Sequence, residues 1–210
     1  MKKIIYSVLA LVVGFVLSGA GCNQDAFDPN GVEIGGVIWA KYNVDTPNKF
    51  AAEPEDPGML YQWNRKIGWS AEDPIASSQS GKSWDGTTPN GTTWEAVNDP
   101  CPTGWRVPTS SELNALMSSF NLGWVTVGSV SGRKYGSDSD FIFLRAAGRR
   151  MTTGGLADVG SWGWYWSNEQ SNINTSNARY YGFTASSSPV SGTDSKAIAR
   201  SVRCVKKSKR

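Results

Sequence analysis

No histidine occurs among the 210 residues of this chain. Histidine supplies the general base of Ser-His-Asp and Cys-His nucleophile systems, and it ligates the metal of HExxH zinc sites and of many iron sites. Its absence excludes these kinds of catalytic site. We expect a protein that is not an enzyme and that carries no cofactor, and this absence is one of the reasons.

The chain also lacks a strong excess of charge of either sign, with 21 basic and 18 acidic residues. Lys2 and Lys3 belong to the N-terminal leader described below, and four more basic residues lie within positions 206–210. Proteins that bind nucleic acid need lysine and arginine clustered on the folded domain to neutralise phosphates. We therefore exclude nucleic acid as a partner and interpret residues 207–210 as a solvated basic tail.

Long apolar runs are missing except at the N-terminus. There, Lys2 and Lys3 precede an apolar run over residues 4–17, which has the length of a secretory signal and is short for a permanent transmembrane helix. The small residues at positions 18–21 then lead into Cys22. A lipoprotein signal peptidase requires this arrangement, because small side chains fit its cleavage pocket and the thiol accepts the lipid.

The leader defines the expected organisation of the chain. We predict a signal peptide over residues 1–21, a lipid-modified Cys22, a tether over residues 22–31 and one domain over residues 32–206. Gly19 stands where leucine or valine is usual, so ordinary cleavage after residue 20 is the alternative.

The residues after Cys22 bear on where the protein is displayed. Asn23, Asp25 and Asp28 resemble the polar and acidic starts of surface-exported lipoproteins. We expect an outer-membrane lipoprotein of the bacterial cell envelope that is held to the membrane by its lipid anchor and faces outward.

Cysteine is scarce, with three residues in the chain. If Cys22 carries lipid, Cys101 and Cys204 are left as an even pair in an oxidising compartment, where one disulfide bridge is expected. Such a bridge would close a loop of about a hundred residues, which is worth on the order of 4 to 5 kcal/mol in the chain-entropy model. Two separate buried thiols are the alternative.

Regular structure is predicted in only a few places. Thr109 and Glu112 form a capping box, and an apolar stripe of helical spacing follows at Leu113, Leu116, Met117 and Phe120. Short runs rich in aromatic or β-branched residues predict strands at residues 37–40, 141–147, 180–184 and 201–205. The fold class we predict is α+β, with one or two helices and an irregular, loop-rich antiparallel sheet.

Tryptophan is abundant, with ten residues, and two of them lie inside a long polar stretch that begins at a third, Trp69. Residues 69–98 are mostly Gly, Ser, Thr, Asp and Pro, with Trp84 and Trp94 set among them. Because a loop of this length is rarely structureless in a compact domain, we expect these two side chains to pin it to the core.

Several segments match one pattern, namely Trp39, LYQW at 60–63, DPCPTGWRVPT at 99–109, RAAG at 145–148, GWYWS at 163–167 and RSVRCV at 200–205. Together they resemble the Fibrobacter succinogenes major paralogous domain family. The resemblance covers about residues 33–206. It implies a C-type-lectin-like fold, shared with formylglycine-generating enzymes and with the variable proteins of diversity-generating retroelements, and it implies that Cys101 and Cys204 are bridged.

The resemblance also implies which segment binds ligand. In the variable proteins this is the part just before the terminal strand, and here 22 of the 40 residues from 161 to 200 are Ser, Asn, Thr, Tyr or Trp, as in antibody paratopes. The predicted site residues are Trp162, Trp164, Asn168, Ser171, Asn172, Asn174, Asn177 and Tyr180. We expect them to bind a protein or glycan ligand, as a region that is diversified in such proteins, whereas an ordinary hydrophilic loop is the alternative.

Two further functions compete with ligand binding. One is a structural or assembly subunit of an envelope or fimbria-like complex, in which tryptophan-rich loops contact partners. The other is an enzyme of the formylglycine-generating type, which needs reactive cysteines or a copper site that a bridged pair does not supply. The Asp138 and Asp140 pair resembles a solvated turn more than a calcium site, so we assign no metal.

Overall fold

Short antiparallel strands make up most of the regular structure. A computed structural model of the protein describes residues 28–119, 121–187 and 189–208. The elements within these residues run in chain order as β1 Gly31–Ile34, β2 Val37–Ala40, β3 Met59–Gln62, β4 Gly68–Ser70, β5 Trp105–Arg106, α1 Ser110–Ser118, β6 Asn121–Val127, β7 Val130–Gly136, β8 Phe141–Arg145, β9 Arg149–Arg150, β10 Leu156–Ala157, β11 Gly163–Gln170, β12 Asn177–Phe183, β13 Val190–Ser195, β14 Ala199–Arg200 and β15 Val205–Lys206.

The strands form four sheets. Their strand orders are β1-β2-β15-β5, β10-β9-β14-β3-β4, β11-β12-β13 and β6-β7-β8. The last two sheets are simple meanders of neighbouring strands. The first two instead include strands from both ends of the described chain. Each is complete only when β15, between β2 and β5, or β14, between β9 and β3, is in place.

The predicted α+β fold class is wrong. Of the residues that the structure describes, 39% are in strands and 5% in helix, and they form one short helix and four antiparallel sheets. Much of the unpredicted strand lies in the β6–β7 hairpin, which turns through Gly128 and Ser129 and has a left-handed φ of 57° at Gly128. A Gly-Ser pair between two strands is a hairpin signal. The strands themselves contain Gly, Arg and Lys rather than a clear apolar alternation, so their pattern did not reveal them.

The one helix follows the sequence prediction. Thr109 accepts a hydrogen bond from the Glu112 amide, the Glu112 carboxylate accepts one from the Thr109 amide, and Leu113 and Leu116 are buried. Because the capping box satisfies backbone donors that the first turn leaves free, it fixes where α1 begins. The predicted stripe residue Phe120 lies outside the described residues.

Tryptophan side chains hold the long loop between β4 and β5 to the core. The rings of Trp94 and Trp63 are 6.0 Å apart, and those of Trp84 and Trp69 are 5.1 Å apart. Trp84 also donates a hydrogen bond of 2.8 Å from Nε1 to the carbonyl of Thr152. The loop is therefore ordered by aromatic anchors, as the sequence predicts.

The predicted disulfide between Cys101 and Cys204 is confirmed. Both cysteines are buried, and the bridge joins residues that are 103 positions apart. It ties the segment before β5 to the segment before β15, and these two strands also pair with each other.

The predicted leader and Cys22 lie outside the described residues, as does most of the predicted tether. Among the residues that the structure describes, no helix is long and apolar enough to cross a bilayer.

We predict that the double substitution Cys101→Ser and Cys204→Ser lowers the free energy of unfolding by about 4 to 5 kcal/mol, because the unfolded chain gains the entropy of an open loop. Guanidinium denaturation of the mature chain measures the change, with Cys22→Ser present in both proteins so that no other thiol differs. A loss below about 1 kcal/mol would contradict a structural role for the bridge.

Candidate functional site

An ordered group of arginine, aromatic and carboxylate side chains lies where β9, β11, β12, β13 and β14 meet. We call it the arginine–tryptophan cluster, and its members are Arg149, Asp158, Trp162, Trp164, Trp166, Tyr180, Asp194 and Arg200.

Strand register and a small residue place Trp164 in this cluster. On the β11–β12 pair, Trp164 lies opposite Gly182, and Trp166 lies opposite Tyr180. A Cβ atom at Gly182 would come within 2.4 Å of the Trp164 ring. The missing side chain at Gly182 therefore makes the space that the indole ring fills.

The aromatic rings pack in defined geometries. Trp162 and Trp164 are stacked, with centroids 4.5 Å apart and planes 5° from parallel. Tyr180 meets Trp164 edge to face at 5.2 Å. Trp164 is 7% exposed, whereas Trp162 and Tyr180 are half-buried. Contacts of this kind stabilise by about 0.5–1.5 kcal/mol each beyond the burial of area, so the rings hold one another in place.

Arg200 lies among these rings and is fully buried. Its guanidinium carbon is 3.9 Å from the centroid of Tyr180 and 4.6 Å from that of Trp166. Burial lowers the pKa of Arg200 to about 9, and the carboxylate of Asp194, 2.5 Å away, opposes that shift. Arg200 is therefore still protonated at neutral pH, and its charge is matched by one carboxylate and by π faces.

Arg149 links the two carboxylates of the cluster. Its Nε lies 3.0 Å from Oδ2 of Asp158 and its Nη1 lies 3.3 Å from Oδ2 of Asp194. Asp158 also accepts a hydrogen bond of 3.1 Å from Nε1 of Trp164, and its backbone is left-handed with a φ of 65°. An aspartate tolerates that conformation better than most residues, so the turn presents a carboxylate at a fixed point beside the rings.

The predicted site residues fall into two separate groups. Trp162, Trp164 and Tyr180 belong to the arginine–tryptophan cluster. The other five lie towards the opposite end of the β11–β12 hairpin. Trp164 and Ser171 are seven residues apart along an extended chain, which corresponds to about 23 Å. The segment 161–200 is therefore two local surfaces rather than one continuous face.

Most of the second group builds the turn over residues 171–176. The Ser171 hydroxyl accepts hydrogen bonds from the amides of Ile173 and Asn174, and Asn174 Oδ1 accepts one from the amide of Ser176. Side chains of Ser and Asn commonly stabilise turns in this way. The polar composition of this stretch is thus explained in part by turn formation.

The other two asparagines lie in the hairpin strands. The backbone amide of Asn168 donates a hydrogen bond of 2.8 Å to the carbonyl of Pro108, and its backbone carbonyl accepts one of 2.9 Å from the backbone amide of Trp94. Asn177 begins β12, opposite Ser195 of β13. Asn172, in the turn, accepts a hydrogen bond of 2.9 Å from Arg179.

Four members of the cluster have no signal in the sequence. Arg149, Asp158, Asp194 and Arg200 come from different elements, and no spacing relates them to one another. Arg200 begins the RSVRCV segment, but that segment indicates a strand and not a site. Only the packing of β9 and β14 beside β11 brings these side chains together.

The Asp138 and Asp140 pair lies elsewhere, in the turn between β7 and β8. It lines a surface cavity of about 610 Å³ together with Glu33. Within the described residues, no group of three or more cysteine, aspartate or glutamate side chains is arranged to hold a metal ion.

Comparison with protein-family models, with curated proteins and with solved structures finds no match to this chain. The resemblance of its motifs to the Fibrobacter succinogenes paralogous family therefore stays a prediction.

We predict that Gly182→Ala disturbs the cluster, because the new methyl group would overlap the Trp164 ring. Overpacking of this kind typically costs about 1–3 kcal/mol, and we expect that loss together with a changed near-ultraviolet circular dichroism spectrum. The matched control is Gly155→Ala, where the nearest atom to an added Cβ is 3.8 Å away. Equal stability and equal spectra for the two variants would contradict the described packing.

Proposed function

We propose that this protein is a non-enzymatic lipoprotein of the bacterial cell surface that binds a protein or glycan ligand through the arginine–tryptophan cluster. The observation that carries the proposal is the stacked pair Trp162 and Trp164, in which Trp162 is half-buried and Trp164 is held by charged neighbours.

The arrangement of the cluster supports binding because it is ordered before any ligand arrives. Rigid aromatic side chains give contact area at a low cost in conformational entropy, and tryptophan, tyrosine and arginine are enriched in binding hot spots. Arg149 and Arg200 share the carboxylate of Asp194, so neither side chain must be ordered when a ligand binds. Preorganisation of this kind raises affinity without any additional contact.

The second part of the predicted site fits the proposal as a separate surface. The turn over residues 171–176 is held by its own hydrogen bonds and exposes Ile173, whose relative exposure is 90%. In the proposed function, Ser171 and Asn174 hold this turn, and a change of side chain is tolerated at positions that do not hold it, such as Ile173. This property suits a diversified region.

The non-enzymatic part of the proposal has two supports. The chain contains no histidine, and the disulfide occupies Cys101 and Cys204. Cysteine-based chemistry of the formylglycine-generating type would therefore need a thiol that the described residues do not offer.

The cellular part of the proposal depends on the N-terminal sequence. The basic start, the apolar run and the small residues before Cys22 support export and lipid modification. In this arrangement the tether over residues 22–31 holds the domain near the outer membrane, with the cluster free to meet a ligand.

We expect Trp162→Ala to weaken ligand binding about tenfold or more while leaving the unfolding temperature within a few degrees, because Trp162 is only half-buried. The mature chain, with Cys22→Ser for solubility, is screened on arrays of glycans and of purified surface proteins. Trp84→Ala is the matched control, since Trp84 is also half-buried but lies outside the cluster. If the Trp162→Ala variant binds every ligand as well as the wild-type protein does, the cluster is not the binding surface. If the protein binds no ligand and associates with itself, an assembly subunit is favoured.

We expect Cys22→Ser to move the full-length protein from the membrane fraction to the soluble fraction of the envelope, because a protein without the lipid loses its anchor. Fractionation and immunoblotting measure the change, with the matched control Cys101→Ser retaining membrane association. Protease treatment of intact cells tests outward display, and a fully protected domain would contradict it.

A further inference from the structure

Two polar atoms of the Arg149–Asp158 ion pair have no hydrogen-bond partner among the described residues and are not buried. Oδ2 of Asp158 accepts a hydrogen bond from Nε1 of Trp164 and is 3.0 Å from Nε of Arg149. Oδ1 of Asp158 accepts no hydrogen bond. Arg149 uses Nε and Nη1 on the two carboxylates, and its Nη2 donates no hydrogen bond. The side chains of Arg149 and Asp158 are 22% and 29% exposed, so solvent reaches this pair. One free acceptor and one free donor therefore belong to the same accessible ion pair.

The charges of the cluster cancel. Arg149 and Arg200 carry two positive charges, and Asp158 and Asp194 carry two negative ones, with each carboxylate held close to a guanidinium group. A charged ligand that approached a group of opposite charge in the cluster would also be repelled by the group of like charge paired with it. The cluster therefore favours an uncharged ligand over an anionic or cationic one.

The rings beside these groups offer a flat apolar surface. Trp164 covers one side of Trp162, and Trp162 keeps part of its ring in contact with solvent. Val159, in the same turn as Asp158, is 49% exposed and extends the apolar area. The surface thus combines a small aromatic platform with a donor and an acceptor at its edge.

This combination matches the chemistry of a sugar ring. A pyranose has an apolar face of C–H groups and a rim of hydroxyls, each of which donates and accepts a hydrogen bond. A stable protein interface instead buries about 800 Å² on each partner around an apolar core. The half-buried Trp162 and the fixed polar pair form a far smaller recognition unit.

We infer that the ligand of the arginine–tryptophan cluster is a neutral carbohydrate. Its pyranose ring stacks on Trp162, and neighbouring hydroxyls donate to Asp158 Oδ1 and accept from Arg149 Nη2. Side chains make all of these contacts, so binding does not depend on a metal ion. The inference rests on the proposed function and narrows it to one class of ligand.

The test uses neutral oligosaccharides of glucose, mannose, galactose and xylose, with oligosaccharides of uronic acids as charged comparators. Isothermal titration with the mature chain in the presence of EDTA measures affinity. We expect binding of at least one neutral series, weakened about tenfold or more by Trp162→Ala and less by Trp162→Phe. Asp158→Asn, which keeps a residue tolerant of the left-handed backbone, should also weaken binding about tenfold, because a site built to accept from a hydroxyl loses its acceptor charge.

The matched control is Asp138→Asn, an aspartate in the β7–β8 turn, which should leave binding unchanged. Binding of uronic acid oligosaccharides alone, or loss of neutral binding in EDTA, would overturn the inference. A protein ligand that is lost in Trp162→Ala, without any saccharide binding, would overturn the inference and leave the proposed function intact. If no ligand of any class binds in a way that depends on Trp162, both the inference and the proposed function are overturned.

Discussion

All four sheets are joined through one buried stretch near the C-terminus, residues 196–205. Every residue in it is buried. It contributes β14 and β15 to two sheets, and the backbone of Ser201 hydrogen-bonds to β11 of a third. Arg203 then reaches the fourth, donating to the carbonyl of Phe143 at 2.7 Å. The core therefore cannot close before this stretch is in place, and the disulfide at Cys204 fixes its position.

The two arginines of this stretch show how the fold and the candidate site depend on one another. Arg203 is buried without a carboxylate and is satisfied by Asn43 and by main-chain carbonyls, and burial lowers its pKa to about 10. Arg200, three residues earlier, enters the cluster beside Trp166 and Asp194. Because buried charge is costly unless it is paired, both arginines fix their surroundings in one arrangement. The proposed binding surface is thus as rigid as the core that supports it.

Local sequence signals identified the elements whose causes are local. The capping box at Thr109 placed the helix, the run 37–40 is the strand β2, and the cysteine count led to the bridge. The predicted fold class was wrong because most strands have no such local signal. The sequence of β13, VSGTDS, carries no apolar alternation, and it is a strand because it pairs with β12. The sequence predicts a strand over residues 201–205, whereas β15 begins only at Val205, because Ser201 bonds to β11 and Val202 bonds to Val44, which lies outside the strands.

For the candidate site, the aromatic residues were evident from the sequence, since tryptophan and tyrosine near a polar stretch are a composition that can be read directly. Trp162, Trp164 and Tyr180 do meet, because the register of β11 and β12 brings them together. The charged half of the cluster was not evident. Arg149, Asp158, Asp194 and Arg200 come from three strands and a turn, and their contacts follow no period or spacing that the sequence shows. The sequence by itself determines the composition, the predicted leader, the helix cap and the cysteine pair, because their causes are local or compositional. Which strands pair in the sheets, and where the buried charges lie, follow only from long-range packing.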